Sequence, residues 1–326
     1  MRVSDAGEFG LIAILRGMLG EGAGDLLRGV GDDAAVIRGP GGALWAYTAD
    51  ALVEGVHFDL SYTSWHSLGY RALAANLSDL ASMGGCGSSY ALVVLGLREE
   101  VETESVEEMY RGMLECGDAF ACRLAGGDIV RSAGGLFVSI SLVGSLEGGR
   151  YLARGNARPG ELVLVTGSLG DSSIGLEWLR RGGEAGHPCA ARHLYPRPRL
   201  EEGRLAMRMG ATAAIDVSDG LLRDLGHICE ESGVGAEVYL EEIPVSREAR
   251  ELARELGTDH LGAALHGGED YELVITAGDE SAREMAERLP ASIIGRVTEG
   301  GGVTVLDGEG RRVEVSRLGY EHFGRG

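Results

Sequence analysis

The chain has 326 residues, of which 50 are acidic and 30 are basic, and its formal net charge at pH 7 is −20. All 30 basic residues are arginines, because the sequence contains no lysine. This excludes a G-x-x-x-x-G-K-[ST] phosphate loop, a kinase that uses a strand-borne lysine, and Schiff-base chemistry, since each requires an ammonium group. An acidic chain with no basic run also argues against binding to nucleic acid or to an anionic membrane surface.

Length and cysteine content indicate a cytoplasmic protein of about two domains. A chain of 326 residues is long enough for two ordinary domains. The five cysteines include no C-x-x-C pair and no zinc spacing, which is typical of reduced thiols. We find no signal-peptide pattern and no run of about 18 apolar residues. We therefore expect a cytoplasmic protein that does not span a membrane.

Hydrophobic periodicity predicts alternating helices and strands along the first half of the chain. In order, we expect a helix over 8–19 with its cap at Ser4 or Asp5, strands over 34–37 and 44–48, a helix over 64–83, a strand over 90–97, a helix over 101–121 and a strand over 136–145. Glycine and proline punctuate residues 147–160. This predicts an N-terminal domain of residues 1–147 and a C-terminal domain of residues 148–326.

The second half shows the same mixture of periods. We expect a strand over 162–166, helices over 170–180 and 199–209, a strand over 213–215, a helix over 221–232, a strand over 236–240, a helix over 246–256, a strand over 271–276, a helix over 280–289 and paired strands near the C-terminus. The predicted fold class is α/β (α+β), with helices and strands in both domains.

Six segments place an acidic residue beside glycine or at the end of an apolar strand. They are G-D-D-A-A-V (31–36), T-A-D-A-L-V-E-G-V-H-F (48–58), N-L-S-D-L (76–80), G-G-D-I-V-R (126–131), D-V-S-D-G (216–220) and G-G-E-D-Y-E-L (267–273). Mg²⁺ prefers oxygen ligands from carboxylates and phosphates, and glycine lets backbone amides approach a phosphate. Singly, each segment is more typical of a turn or a helix cap. Together they predict a nucleotide site with several metal ions.

Asp79 has the strongest individual signal. In the predicted helix over 64–83, Asn76 and Asp79 lie three residues apart beside the apolar face. A carboxylate there is costly unless a cation or a donor meets it. We favour a metal ligand, and the alternative is a structural carboxylate paired with a buried arginine. His57, a lone histidine, is on residue type alone more typical of packing than of substrate binding.

The set of motifs resembles the thiamine-monophosphate kinases, whose superfamily also holds aminoimidazole ribonucleotide synthetase, selenophosphate synthetase and a hydrogenase-maturation enzyme. The similarity runs from G-E-F-G-L-I (7–12) to G-Y-E-H-F (319–323), and its longest motifs are D-A-L-V-E-G-V-H-F (50–58), A-N-L-S-D-L-A-S-M-G (75–84) and G-G-E-D-Y-E-L. The resemblance implies a two-domain aminoimidazole ribonucleotide synthetase-like fold. In this fold the N-terminal domains of two copies pair their strands into a barrel, and the C-terminal domain is α/β.

The resemblance also implies roles for individual residues. The implied Mg²⁺ ligands are Asp33, Thr48, Ala49, Asp50, Asp79, Asp128, Asp216 and Asp219. The implied ATP contacts are Tyr110, Gly127, Asp128, Arg154 and Ser218. The implied substrate contacts are His57, Glu269 and Tyr320. The chain departs from the family pattern at Ala49, where the family commonly has a hydroxyl residue, so only a backbone carbonyl is available there.

The implied reaction transfers the γ-phosphoryl group of ATP to thiamine monophosphate, with Mg²⁺, in a homodimer. We expect no general base, because a phosphate acceptor is already ionised near neutral pH. Positioning and charge neutralisation should dominate, with Arg131 and Arg154 supplying fixed positive charge. Two alternatives are another ATP-dependent superfamily activity (amidine ring closure or selenophosphate synthesis) and a non-catalytic nucleotide or metal sensor. The late first cysteine, Cys86, counts against selenophosphate synthesis, and the complete set of motif aspartates counts against a sensor.

Overall fold

The computed structural model describes residues 2–20, 24–315 and 319–320. Residues 321–323 of the G-Y-E-H-F motif therefore lie outside the described part of the chain. Among the described residues, no helix combines the length and the hydropathy needed to cross a membrane.

The first half of the chain forms a six-stranded sheet. Its strands are β1 (Leu26–Arg28), β2 (Ala35–Arg38), β3 (Leu44–Val53), β4 (Ser89–Leu97), β5 (Cys122–Arg131) and β6 (Phe137–Leu146). They are ordered β1-β2-β3-β6-β4-β5. Strands β4 and β5 run parallel, and the other neighbouring pairs run antiparallel.

Helices α2 (Trp65–Ser82) and α3 (Thr103–Ala119) cover one face of this sheet, and α1 (Val3–Leu19) precedes it. The Ser64 hydroxyl begins α2 as expected of a cap, by accepting a hydrogen bond from the backbone N–H of Ser67 at 3.1 Å. Helix α2 is buried on most of its circumference, because it packs on the sheet, on α3 and on the second half of the chain. It is therefore the central element between the two sheets.

The second half forms a seven-stranded sheet flanked by helices. Its strands are β7 (Leu162–Thr166), β8 (Ala211–Asp216), β9 (Gly235–Tyr239), β10 (Leu273–Ala277), β11 (Ala291–Thr298), β12 (Gly302–Leu306) and β13 (Arg312–Val313). They are ordered β13-β12-β9-β11-β7-β10-β8. The helices are α4 (Asp171–Arg180), α5 (Pro188–Leu194), α6 (Leu200–Arg208), α7 (Leu221–Ser232), α8 (Arg247–Leu256), α9 (His260–His266) and α10 (Asp279–Arg288).

The predicted α/β class is confirmed, and two local predictions are wrong. Residues 126–131 are expected to be a glycine turn but belong to β5, where a Cβ on Gly127 would lie 1.7 Å from the carbonyl oxygen of Val93 on β4. Glycine is required there by close strand pairing. Helix α1 begins at Val3, before the expected cap, and Gly7 kinks it with a φ of 68°. The boundary after residue 147 stays a prediction.

The face of the first sheet opposite α2 and α3 exposes several large apolar side chains. Residues on this face include Tyr47, Val53, Tyr90, Leu92 and Val130, with exposed fractions of 45%, 37%, 42%, 51% and 39%. A hydrophobic patch of this kind is typical of a surface that binds another protein.

Candidate active site

A cavity of about 420 Å³ opens between the two halves of the chain. Its walls come from the end of β3 and the loop after it, from α2 and α4, and from the turns that follow β8 and precede β10. Many of the predicted site residues line it, namely Asp50, His57, Asp79, Asp216, Ser218, Asp219, Glu269 and Tyr320. The fold therefore brings together motifs that are far apart in the sequence.

Three carboxylates meet beside this cavity, and two of them, Asp79 and Asp216, line it. Asp33 before β2, Asp79 on α2 and Asp216 at the end of β8 each place one oxygen within 4.8 Å of the others. The Ser78 hydroxyl donates to Asp216 Oδ2 at 2.6 Å, and the Thr48 hydroxyl donates to Asp79. The hydrogen-bond partner of Asp79 is thus a hydroxyl group. The structural alternative predicted a buried arginine paired with Asp79, but the arginine at this cluster, Arg154, pairs with Asp33.

The carboxylates of this cluster disfavour one another's charge. Burial raises the pKa of Asp216 to about 8, and the neighbouring charge of Asp33 adds to that shift. Burial, followed by the charges of Asp50 and Asp216, raises the pKa of Asp79 well above its ordinary value. Among the described residues, the buried Oδ2 atom of Asp33 has no hydrogen-bond partner. An all-oxygen set with an unsatisfied carboxylate oxygen fits a hard divalent cation such as Mg²⁺.

Arg154 provides positive charge next to this cluster. Its guanidinium pairs with Asp33, with Nε donating to Oδ1 at 3.1 Å. Its backbone N–H lies 3.3 Å from Oδ1 of Asp32, whose pKa burial raises to about 7. Asp32 is a site residue that sequence reasoning missed, although the G-D-D pair contains it.

A second missed carboxylate shapes the turn after β8. Oδ2 of Asp224 accepts hydrogen bonds from the backbone N–H groups of Ser218, Asp219 and Gly220 at 3.1, 3.2 and 3.0 Å. This contact begins α7 and holds Ser218 and Asp219 at the cavity wall. The available sequence signal is an acidic residue in the first turn of a helix that follows S-D-G.

The predicted substrate contacts His57, Glu269 and Tyr320 line the same cavity. Nδ1 of His57 accepts from the backbone N–H of Val53 at 3.1 Å, which orients the ring. The backbone N–H of Tyr320 donates to the carbonyl of Asp219 at 3.0 Å. The Glu269 carboxylate pairs with the buried guanidinium of Arg71. Tyr271 and Ser172 also line this cavity and were not predicted.

Seven predicted site residues are not part of the cavity wall: Asp33, Thr48 and Arg154 lie at the adjoining carboxylate cluster, and Ala49, Tyr110, Gly127 and Asp128 lie elsewhere. Tyr110 lies on α3 and packs against the core beneath the first sheet. Gly127 and Asp128 lie on the edge strand β5, where Oδ1 of Asp128 accepts from the backbone N–H of Ile129 at 2.9 Å. Ala49 lies on the exposed side of β3, because strand residues alternate between faces.

Arg131 was expected to supply positive charge at the site. The structure places it on the exposed edge strand, where its Nη1 pairs with Glu99 at 2.6 Å. Arg154 is thus the predicted arginine that reaches the carboxylate cluster.

Family models and curated relatives cover nearly the whole chain. The model of the N-terminal domain of AIR synthase related proteins matches residues 31–146, and the model of their C-terminal domain matches residues 158–308. The chain is 36% identical to the thiamine-monophosphate kinase of Aquifex aeolicus (strain VF5), over 99% of this chain and 100% of that protein. It is 34% identical to the thiamine-monophosphate kinase of Bacillus subtilis (strain 168), over 90% of this chain and 93% of that protein.

Solved structures share the fold. One is described as AaThiL complexed with AMPPCP and TMP; it is 35% identical, has a TM-score of 0.88, and the match covers 99% of both chains. A thiamine-monophosphate kinase from Stenotrophomonas maltophilia K279a is 36% identical with a TM-score of 0.74, over 94% of this chain and 98% of that one. The hydrogenase maturation protein HypE of E. coli, at 22% identity and a TM-score of 0.67, shares the fold alone.

Proposed function

The chain belongs to the thiamine-monophosphate kinase family, and we propose how its cavity performs that family's reaction. It is an ATP-dependent phosphotransferase that transfers the γ-phosphoryl group of ATP to thiamine monophosphate, giving thiamine diphosphate and ADP. The observation that carries the proposal is a single cavity that is lined both by Asp79 and Asp216 of the carboxylate cluster and by the predicted acceptor contacts.

We assign Mg²⁺ binding to Asp33, Asp79 and Asp216, with Asp50, Asp219 and Thr48 beside them. A bound Mg²⁺ would neutralise phosphate charge and so let two anionic substrates approach. Among these residues, Asp33 is held by Arg154 and Asp216 by Ser78, which keeps their oxygens in place. The predicted roles of Ala49, Tyr110, Gly127 and Asp128 are proposals too, and these four residues are neither part of the cavity wall nor of the carboxylate cluster.

The cavity needs to position the acceptor more than to activate it. Its phosphate oxygen is already ionised, so no residue is assigned as a base. We propose that His57, Glu269 and Tyr320 hold thiamine monophosphate so that its phosphate faces the carboxylate cluster. We propose that Ser218 and Arg154 contact the ATP phosphates. Pre-positioning of this kind can account for a large share of a rate enhancement.

We also propose that the protein is a homodimer formed through the exposed face of the first sheet. That face presents Tyr47, Val53, Tyr90 and Leu92 in one patch. Strand β5 at its edge leaves a row of backbone groups that a second copy can pair with. Burial of this patch against a second copy would remove it from water.

We further propose that the protein is located in the cytoplasm and does not bind nucleic acid. All five cysteines are buried free thiols, which suits a reducing compartment. The net charge of −20 opposes a sequence-independent grip on nucleic acid.

The direct test is incubation with Mg²⁺-ATP and thiamine monophosphate, followed by chromatography for thiamine diphosphate. We expect product with thiamine monophosphate and none from unphosphorylated thiamine, and we expect loss of activity with a chelator. Equal rates with both acceptors, or ATP consumption only with a formylglycinamidine-type substrate, would contradict the assignment. Full activity after exhaustive chelation would contradict the metal proposal alone.

A further inference from the structure

Arg71 on α2 carries a completely buried guanidinium that pairs with Glu269, a residue of the cavity wall. Its side chain is 0% exposed, and its Nη2 donates to Oε1 of Glu269. Within the described part of the chain, its Nε and Nη1 atoms have no hydrogen-bond partner. Burial of a charge with incomplete hydrogen bonding destabilises the fold, so packing alone does not explain an arginine at this position.

The backbone of Glu269 is also held in a costly conformation. Its φ is 64°, and that of Tyr271 is 52°, both in the left-handed region that non-glycine residues rarely adopt. The flanking acidic residues hold this segment in place. Asp270 accepts from the backbone N–H groups of Gly170 and Ser172 at 2.7 and 3.1 Å, and Glu272 pairs with Arg199 at 2.5 Å. The segment therefore presents Glu269 to the cavity from a strained but firmly anchored backbone.

His193 is a second titratable group close to Glu269, and it contributes no charge. Burial, reinforced by the charge of Arg71, lowers the pKa of His193 to about 3, so the ring is neutral near pH 7. Its Nδ1 lies 3.0 Å from the Ser172 hydroxyl and 3.7 Å from Oε2 of Glu269. The positive charge that offsets Glu269 at close range therefore comes from Arg71.

Two unfavourable features, the buried Arg71 guanidinium and the left-handed backbone, thus converge on one carboxylate that faces the cavity. We propose that Arg71 is a positioning residue for the acceptor, which holds Glu269 ionised and fixed so that its carboxylate accepts a hydrogen bond from an N–H group on the ring end of thiamine monophosphate. The inference rests on the proposed contact between Glu269 and the acceptor. The Arg71–Glu269 pair has no net charge, so it exerts little long-range electrostatic attraction on a charged ligand. It favours instead a ligand whose N–H group points at the Glu269 carboxylate.

A double-mutant cycle on acceptor KM tests this inference. The variants are Arg71→Met, Glu269→Gln and the two combined. Loss of a hydrogen bond to a charged group corresponds to a change of about 10- to 100-fold, so Glu269→Gln should raise the KM for thiamine monophosphate by that factor and leave the KM for ATP unchanged. Arg71→Met should have at least as large an effect on the acceptor KM in the wild-type background and none in the Glu269→Gln background.

The matched control is the combined variant Arg199→Met and Glu272→Gln. This pair joins a partly buried arginine to a buried glutamate, with bonds of 2.7 and 2.5 Å, but neither side chain lines the cavity. It should change the melting temperature and leave the acceptor KM unchanged. Removal of both charges of a buried pair is far better tolerated than removal of one, so both combined variants should fold.

The possible outcomes separate the inference from the function. If Arg71→Met alone does not fold, the combined variant is compared with Glu269→Gln, and equal acceptor KM values support the inference. A further rise in the combined variant would show that Arg71 acts independently of Glu269 and would overturn it. An unchanged KM in Glu269→Gln would overturn the acceptor contact and this inference, while the kinase activity stands. Absence of thiamine diphosphate with the wild-type protein would overturn the function itself and this inference with it.

Discussion

The substitution Asp79→Asn tests whether the Asp79 carboxylate binds a metal ion or has a structural role. The substitution keeps the shape of the side chain and an oxygen that can accept from the Thr48 hydroxyl, the hydrogen-bond donor found on Asp79. It removes the negative charge from the cluster with Asp33 and Asp216. No arginine is left without its partner, since the cluster's arginine, Arg154, pairs with Asp33.

The geometry gives the size of the effect. Two unit charges 4.8 Å apart repel by about 3.5 kcal/mol at an effective dielectric constant of about 20. Protons retained by the buried carboxyls already relieve part of this repulsion, so we expect the metal-free variant to gain about 1–3 kcal/mol in the free energy of unfolding. The melting temperature should rise by about 2–4 °C for each kcal/mol.

The assay is thermal unfolding with chelator and with Mg²⁺, combined with turnover. In Asp79→Asn, turnover should fall by several orders of magnitude, and Mg²⁺ should stabilise the variant less than the wild type. Asp171→Asn is the control, because Asp171 is a buried aspartate paired with Arg192 at 3.0 Å outside the cavity, and it should lose stability with or without Mg²⁺. A sharp drop in the metal-free melting temperature of Asp79→Asn, with near-normal turnover, would refute the reasoning.

Three other expectations follow from the same structure. Burial and then the charge of Asp33 raise the pKa of Asp216 from 3.8 to about 8. Between these two pH values the metal-free folded protein retains a proton that the unfolded chain has released. The free energy of unfolding should therefore fall as the pH rises from about 4 to about 8, by up to about 1.4 kcal/mol per pH unit. A melting temperature of the metal-free protein that does not change over this pH range would contradict the raised pKa of Asp216. Leu92→Arg should give a monomer in size-exclusion chromatography with light scattering, whereas Leu114→Arg on α3, at the same 51% exposure, should stay dimeric. Gly127→Ala should lower the free energy of unfolding in denaturant by about 1–3 kcal/mol, because its Cβ would meet the carbonyl oxygen of β4 at 1.7 Å; unchanged stability would show that β5 does not pair this closely.

Local patterns in the sequence predicted the fold class and the main carboxylates of the site. Helix α2 is long, periodic and capped by Ser64, so its hydrophobic spacing was sufficient to place Asp79 beside the apolar face. The motifs around Asp50, Asp216 and Glu269 were recognisable because strand ends and glycine turns carry compact local signals. Those segments do line the cavity, although their binding roles stay predictions.

The glycine of G-G-D shows where a local signal is ambiguous. Glycine is required both where a backbone approaches a phosphate and where two strands pair closely, and the sequence does not distinguish the two. The contact with Val93 decides the second use for Gly127 in this chain.

Partners across the cavity were decided by the tertiary structure alone. Arg71 and Glu269 lie 198 residues apart, and Asp79 meets Asp33 and Asp216 from three separate elements. Hydrophobic periodicity reports which face of a helix or strand is buried, but it carries no information on which distant side chain that face will meet. That pairing depends on how α2 packs between the two sheets, which is a property of the whole folded chain.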